Sequence, residues 1–288
     1  MQKMSLQNLI SGKELSKIIL TKIKDQVTKM VGEKPQLVIV QVGNNPASNK
    51  YIQHKLRACE YTGIIGTHLV FPETISQVDL EKQIITLNQE EQVHGIIVQL
   101  PLPKQIDEQR INEIISVTKD ADGFNPATLG KVVLNTSTIF PATPAGIVKL
   151  LEWKNIELAG TNVVIIGRSN IVGKPLANML INKSATVTVC NTKTKNLQEI
   201  AAKANILVSA AGSAKLITPK FVNENMTIID VGANFVDGKY CGDVDFESVQ
   251  PLVKYITPVP GGVGPMTIAC LLENTLTSFK NQQIATKN

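Results

Sequence analysis

The chain has 288 residues, 43% of them hydrophobic and 4% aromatic, with a formal net charge of +5. That length holds two modest domains or one large one, and the composition is that of a soluble α/β protein with an aliphatic core. The charge is mild and no lysine/arginine cluster is interleaved with aromatics, which argues against nucleic acid as a partner and for small anionic ligands.

From the N-terminus, residues 36–42, 68–71 and 95–100 read as strands, with helical patterns between them that include 77–90 and a further helix at about 108–117. Such alternation implies βαβ units on a mainly parallel sheet. Gly43-Asn44-Asn45-Pro46 is turn chemistry after the first strand. Asn45 or Ser48 can cap the helix that follows, Pro46 suits its first turn, and Gly63 stops it after about Tyr61. Gln99-Leu100-Pro101-Leu102-Pro103 makes a rigid exit at the carboxyl end of the 95–100 strand, where open α/β sheets place ligands.

Within the helix that starts near residue 46, Tyr51-Ile-Gln-His-Lys55 sets a phenol and an amine four residues apart on one face. A partly desolvated lysine there has its pKa drawn toward neutrality and can serve in proton transfer or charge stabilisation. A solvated helix with a snorkelling lysine is the commoner meaning of this spacing taken alone.

A second βα series begins after Pro141-Ala142-Thr143-Pro144, where Thr143 and Pro144 open a helix over 145–153. Strands follow at 162–166, 186–190, 206–209, 226–231 and 255–257, then a Pro/Gly-rich loop and a helix over about 266–279, with 285–288 expected to fray. After the 162–166 strand comes Gly167-Arg168-Ser169-Asn170-Ile171-Val172-Gly173-Lys174-Pro175. It departs from G-x-G-x-x-G, with a serine at the second glycine position and the last glycine one residue late. The physical logic survives: Gly167 permits a tight turn, Gly173 a close approach, and Pro175 starts a helix whose free N–H groups favour a phosphate. An ordinary glycine-containing βα loop has the same pattern. The 186–190 strand runs into Asn191-Thr192-Lys193-Thr194, without the carboxylate that holds ribose hydroxyls in NAD sites. A hydroxyl, an amide and a lysine, with Arg168 on the neighbouring loop, suit an extra phosphate, so NADP is expected over NAD.

Cys59, Cys190, Cys241 and Cys270 have no paired short spacing, and His54, His68 and His94 are scattered, so neither a metal site nor a disulfide framework is expected. Met1-Gln-Lys-Met-Ser-Leu lacks an apolar signal core and no apolar run approaches a membrane span, which sets the expectation of a cytoplasmic protein without membrane contact.

Several segments together resemble one family, the bifunctional methylenetetrahydrofolate dehydrogenase/cyclohydrolases. The first lobe supplies Val42-Gly43-x-x-Pro46-Ala47-Ser48-x-x-Tyr51-x-x-x-Lys55, Gly95-Ile96-Ile97-Val98-Gln99-Leu100-Pro101-Leu102-Pro103 and Lys119-Asp120-Ala121-Asp122-Gly123-Phe124. Pro141-Ala142-Thr143-Pro144, the Gly167–Pro175 loop, Asp230-Val231-Gly232 and Gly242-Asp243-Val244 follow. Pro258-Val259-Pro260-Gly261-Gly262-Val263-Gly264-Pro265-Met266-Thr267 is the most specific run, and the likeness is collinear over nearly the whole chain.

The resemblance implies two α/β lobes with a cleft between them, the second a Rossmann-type NADP domain, and a last helix that returns to the first lobe. The lobes are expected at residues 1–140 plus 267–288 and at 141–266. It implies NADP-dependent oxidation of methylenetetrahydrofolate to the methenyl form, then hydrolysis to 10-formyltetrahydrofolate for purine synthesis, in a homodimer. It also implies roles for residues. Lys55 assists water addition and proton movement, Gln99 hydrogen-bonds Lys55, and Tyr51 stacks or hydrogen-bonds along the folate. Asp122 holds the pterin in bidentate fashion. Pro260, Gly261, Gly262 and Val263 line the folate channel. Gly167, Arg168, Ser169, Ile171, Val172, Gly173, Thr192, Ala211, Gly212 and Gly232 contact the cofactor.

The chain departs from the family at Ala142, commonly cysteine, and at Asn191-Thr192, where relatives often have histidine followed by serine or arginine. A short-chain dehydrogenase also uses Tyr-x-x-x-Lys, but there the pair follows the nucleotide loop, whereas here it precedes Gly167. A dehydrogenase with weak cyclohydrolase activity, or a non-catalytic folate or nucleotide sensor on the same fold, are the other readings.

Overall fold

The protein, seen in a computed structural model that describes residues 8–236 and 238–285, divides into two compact units, neither of which is one contiguous segment. One joins Lys17–Ala142 to residues 268–285, and the other joins residues 8–16 to Thr143–Thr267. Residues 8–16 thus group with the second lobe, not with the first as expected. Leu9 bridges Ile256, and the Lys13 amide donates to the Gly261 carbonyl at 3.0 Å.

In the first unit, helix α1 (Gly12–Thr28) leads to β1 (Gln36–Val42), α2 (Pro46–Thr62), β2 (Ile65–Phe71), α3 (Gln77–Gln89) and β3 (Gly95–Val98). The strands form a parallel sheet in the order β2-β1-β3. β1 is central, and its apolar run Leu37-Val38-Ile39-Val40 is buried throughout, as a strand covered on both faces requires. Because the chain crosses from β2 past β1 to β3, the strand order switches between β1 and β3, the place where open parallel sheets hold ligands beyond their carboxyl ends. α4 (Glu108–Ile114) and α5 (Pro126–Val133) follow, each started by a side-chain cap, Asp107 and Asn125. Val38, Val40, Leu80, Ile84, Ile96 and Ile111 share one core cluster. The buried ammonium of Lys119 donates to the carbonyls of Leu87 and Glu90, at 3.2 and 2.6 Å, and so completes the end of α3.

In the second unit, α6 (Ala142–Trp153) precedes β4 (Asn162–Ile166), α7 (Gly173–Ile181), β5 (Thr186–Cys190), α8 (Leu197–Ala202), β6 (Ile206–Ser209) and β7 (Thr227–Asp230). A short hairpin, β8 (Asn234–Val236) with β9 (Lys239–Cys241), then α9 (Phe246–Val249), leads to β10 (Tyr255–Ile256) and to the start of α10 (Val263–Ala285), which from residue 268 on belongs to the first unit. The five-stranded sheet is parallel in the order β10-β7-β6-β4-β5. This is a Rossmann-like arrangement whose reversal falls between β4 and β6, so a ligand crevice is expected beyond those carboxyl ends.

Several expected boundaries move, among them the start of α6, at Ala142 and not 145, and the end of α4, at Ile114 and not 117. β2 starts at Ile65 and not 68, and β3 ends at Val98 and not 100, although the Gln99 amide still donates to Val40 O at 2.8 Å. α10 outruns its expected span of 266–279 at both ends. Asn274, Thr275 and Ser278 are buried in it, so polar residues interrupt the apolar stripe that marks a helix in sequence. Ala285 closes α10, and the rest of the stretch expected to fray lies outside the described residues. Among the described residues no helix is long and apolar enough to cross a membrane, and no group of His, Cys, Asp and Glu is placed to hold a metal ion.

Candidate active site and nucleotide loops

α2 carries the pair singled out by its spacing. Asn45 caps it by accepting from the Ser48 amide at 3.2 Å, and Ser48 Oγ donates to Leu100 O at 3.2 Å, tying the helix start to the exit of β3. Gln41 Nε2 donates to Asn49 Oδ1 at 2.7 Å while its Oε1 meets His68 Nε2 at 2.9 Å, so one amide on β1 braces both α2 and β2. Held this way, α2 brings Lys55 to the carboxyl end of β3, where its Nζ donates to Gln99 Oε1 at 3.0 Å. Gln99 Nε2 donates to Leu100 O at 2.8 Å. That second bond fixes the amide orientation, leaving its oxygen for the amine. Tyr51 lies one turn earlier on the same face of α2 and is 37% exposed.

Lys55 is half-buried as a residue, and burial pushes its amine's pKa below the usual lysine range, with Asp122 pulling it back up. Asp122 limits how far it falls, and Gln99 adds no charge of its own. A neutral amide satisfies the ammonium without the charge that would hold the proton on. Burial likewise pushes the Asp122 carboxyl up to about 6, opposed by Lys55 and reinforced by Asp120. The Cys59 thiol, one turn beyond Lys55, is pushed up to about 12 by burial, so it stays protonated.

Asp122-Gly123 is a turn, with Gly123 at φ +76°, and a Cβ there would lie 2.7 Å from the Pro141 nitrogen. The turn's amides go to Asp120: Gly123 and Phe124 donate to its Oδ1 at 3.0 Å, and Asn125 donates to its Oδ2 at 2.9 Å. The turn is thus held by the Asp120 carboxylate. From α10, Asn274 Nδ2 donates to the carbonyls of Ala121 at 2.9 Å and Phe140 at 2.7 Å, pinning both sides of the Asp122 segment. Sequence reasoning did not pick out Asp120 or Asn274. The Asp120-to-Asn125 spacing is an Asx-turn signal, while Asn274 sits inside a helix and carries none.

The role of Gln99 has a direct test. Gln99→Glu puts a carboxylate 3.0 Å from the amine, which should raise the Lys55 pKa. If the neutral amine takes the proton from water, the rising limb of the pH–rate profile for methenyltetrahydrofolate hydrolysis moves to higher pH in the variant. An unmoved limb refutes the coupling.

In the second unit, Gly167 takes φ +128° and its amide donates to Cys190 O at 2.9 Å, joining the carboxyl ends of β4 and β5. A Cβ on Gly167 would lie 2.2 Å from Ala210 O, and one on Gly173 would lie 2.1 Å from Gly167 O. This is a backbone-on-backbone cradle that side chains would fill. α7 starts at Gly173, ahead of the expected Pro175, and the amides of Val172 and Gly173 are not free as expected. Both donate to Ser169 Oγ, at 3.2 and 3.5 Å, long bonds for which a phosphate oxygen is the stronger competitor. Ile171 and Val172 are half-buried in the same loop. Arg168, Ser169, Thr192 and Lys193 are exposed around it. Asn191 and Thr194 are engaged in their own turn, Asn191 N donating to Thr194 Oγ1 and Lys193 N to Asn191 Oδ1, both at 2.9 Å. The cradle, the helix start and the exposed cations fit a dinucleotide carrying an extra phosphate.

Ala211 and Gly212 are exposed at the end of β6, but their amides point inward, to Asp243. Gly232 is buried at the end of β7, where a Cβ would lie 2.5 Å from Asp243 Oδ1. Pro260 is exposed, while Gly261, at φ +111°, Gly262 and Val263 are buried at the start of α10. Gly262 is packed so closely that a Cβ on Gly12 would lie 1.7 Å from its carbonyl oxygen.

Two family models match the chain: the catalytic domain of tetrahydrofolate dehydrogenase/cyclohydrolase over residues 10–122, and the NAD(P)-binding domain of the same enzymes over 141–283. A bifunctional protein FolD from Halalkalibacterium halodurans is 47% identical over 274 residues, covering 94% of this chain and 98% of that protein. The crystal structure of the bifunctional enzyme FolD, a methylenetetrahydrofolate dehydrogenase/cyclohydrolase from Campylobacter jejuni, superposes with a TM-score of 0.93 at 46% identity, covering 95% of this chain and 98% of that one. The methylenetetrahydrofolate dehydrogenase-cyclohydrolase of Trypanosoma brucei, complexed with NADP cofactor and inhibitor, gives 0.90 at 35% identity, covering 95% and 97%. With catalytic and nucleotide domains both matched and nearly the full length shared, the chain belongs to the tetrahydrofolate dehydrogenase/cyclohydrolase family of bifunctional enzymes.

Proposed function

We propose that the protein oxidises 5,10-methylenetetrahydrofolate with NADP and then hydrolyses the methenyl product to 10-formyltetrahydrofolate. The observation that carries the hydrolytic half is the Lys55–Gln99 hydrogen bond at 3.0 Å, around an amine whose pKa is lowered by burial. In the first step a carbon–hydrogen bond of the methylene bridge breaks and its electron pair leaves as hydride, giving the methenyl cation. NADP, when bound, supplies the hydride acceptor. The protein's part in this step is placement, which the folded loops and Asp122 supply. In the second step water adds to the methenyl carbon and loses a proton. Lys55 takes that proton and then returns one as the ring carbon–nitrogen bond opens, while Gln99 keeps the amine aimed.

Asp122 binds the pterin, Tyr51 lies along the folate, and Pro260, Gly261, Gly262 and Val263 contact it. Gly167, Arg168, Ser169, Ile171, Val172, Gly173, Thr192, Ala211, Gly212 and Gly232 form the NADP site. The preference for NADP rests on the exposed Arg168 and Lys193 and on the absence of an acid in Asn191-Thr192-Lys193-Thr194. Family resemblance supports lobes at 1–140 plus 267–288 and 141–266, adjusted for residues 8–16, and a cytoplasmic homodimer. The reading is tested by following the appearance and decay of methenyltetrahydrofolate absorbance with each nucleotide in turn. Turnover is expected with NADP and little with NAD; a clear preference for NAD sinks the cofactor assignment, and no methenyl signal with either sinks the whole reading.

A further inference from the structure

The Asp243 side chain takes no part in the two chemical steps, yet it is fully buried and accepts more hydrogen bonds than any pattern in its sequence suggests. Its Oδ2 accepts from Ser209 Oγ at 3.1 Å, from the Ala211 amide at 2.7 Å and from the Gly212 amide at 3.2 Å. Its Oδ1 accepts from the Ser213 amide and from Asn234 Nδ2, both at 2.9 Å. Three successive amides of one loop thus converge on one carboxylate. An anion suits such a nest, and a neutral amide in its place would set a donor against donors.

The surroundings are built around this group. The hairpin β8–β9 delivers Asp243 just past its second strand. Asp230, at the end of β7, then fixes the backbone by accepting from the amides of Asp243 and Val244 at 2.9 and 3.0 Å. Glycines stand wherever a side chain would collide: a Cβ on Gly232 would lie 2.3 Å from the Asp243 nitrogen, and one on Gly242 would lie 1.8 Å from Asp230 Oδ2. The loop held in this way leaves the carboxyl end of β6, on one side of the sheet's reversal point. Its first residue, Ala210, is the one whose carbonyl sits where a Gly167 Cβ would go. The loops after β4 and β6 therefore touch backbone to backbone. The outer sides of Ala211, Gly212 and Ser213 are exposed.

We propose that Asp243 is the positioning residue of the dinucleotide site, its buried carboxylate holding the Ala211-Gly212-Ser213 loop from behind in the shape that receives the cofactor. The proposal rests on the NADP reading of these loops. Two sets of glycines then serve different ends. Gly167 and Gly173 shape the loop after β4 for the cofactor, whereas Gly242 and the inward side of Gly232 make room for the carboxylates that shape the loop after β6.

The test is the dissociation constant for NADP in Asp243→Asn, Ser209→Ala and Asn234→Ala, with hydrolysis of supplied methenyltetrahydrofolate, which consumes no dinucleotide, as the measure of intact structure. Asp243→Asn is expected to weaken NADP binding by at least about tenfold, and each single-donor variant by about two- to fivefold, as loss of charge-assisted bonds to a positioning group predicts. Hydrolysis should stay near wild type in all. Unchanged NADP binding in folded Asp243→Asn overturns the proposal. So does a proportional fall in binding and hydrolysis, which marks general damage. If Asp243→Asn does not fold, the other two decide: weaker NADP binding with hydrolysis retained supports the role, and unaltered binding overturns it. A wild-type protein that fails to bind NADP would instead overturn the nucleotide reading beneath it.

Discussion

Replacing Lys55 with methionine is expected to reduce methenyltetrahydrofolate hydrolysis by at least ~100-fold, the scale of a general acid–base group, while hydride transfer suffers much less. Methionine keeps the length and apolar stem of the side chain, so packing beside the buried Cys59 is preserved and the change isolates the amine. The chemistry gives the direction. Water adding to the methenyl carbon must shed a proton, and Lys55 is the base whose pKa burial brings down while an uncharged partner, Gln99, leaves it down. Hydride transfer needs no proton acceptor, so the variant should accumulate the methenyl intermediate. The check is single-wavelength kinetics on the two steps separately. Normal methenyl decay in Lys55→Met would remove the lysine from the mechanism.

Gly173→Ala should produce the opposite split. A Cβ at that position would lie 2.1 Å from the Gly167 carbonyl oxygen and 3.0 Å from the Arg168 Cα, all backbone, so the loop after β4 has to move. An ångström of misplacement at a positioning element costs on the order of 10²-fold, and that loss is expected in the dehydrogenase kcat/KM for NADP. Methenyl hydrolysis, which consumes no dinucleotide and whose proposed groups sit on α2 and at the end of β3, should remain within about threefold of wild type. Loss of both activities together would show that the glycine serves folding in general and not the nucleotide loop. The two variants form a crossed pair: each is expected to remove the activity that the other leaves.

Legibility from sequence followed burial. β4 and β6 fall where their short apolar runs place them, since central parallel strands must be apolar on both faces and the signal is local, and β5, an exposed edge strand, is marked instead by its alternating Thr and Val. β2 is half-exposed along an edge and contains Gly66, so its first three residues carry no such mark. The hairpin β8–β9 has three residues in each strand, too few to show an alternation. For the site, Tyr51 and Lys55 could be placed on one face by helical spacing, but nothing local ties Lys55 to Gln99, 44 residues away. The family likeness supplied that pairing. Asp243 stayed hidden because its meaning lies in partners drawn from β6, the loop after it and β8. Gly242-Asp243-Val244 by itself reads as a turn.

The division of the chain has a consequence for how such an enzyme can be inherited. The boundary between the two units is crossed within α1, at α6 and within α10, so no single cut in the gene releases either unit whole. A fragment ending at Ala142 would lack α10 and with it Asn274, whose amide grips the carbonyls on both sides of Asp122. Recombination at one breakpoint therefore cannot lend the hydrolytic half to another nucleotide domain, or the reverse. Interleaving of this kind means that exchange of either unit takes at least two breakpoints.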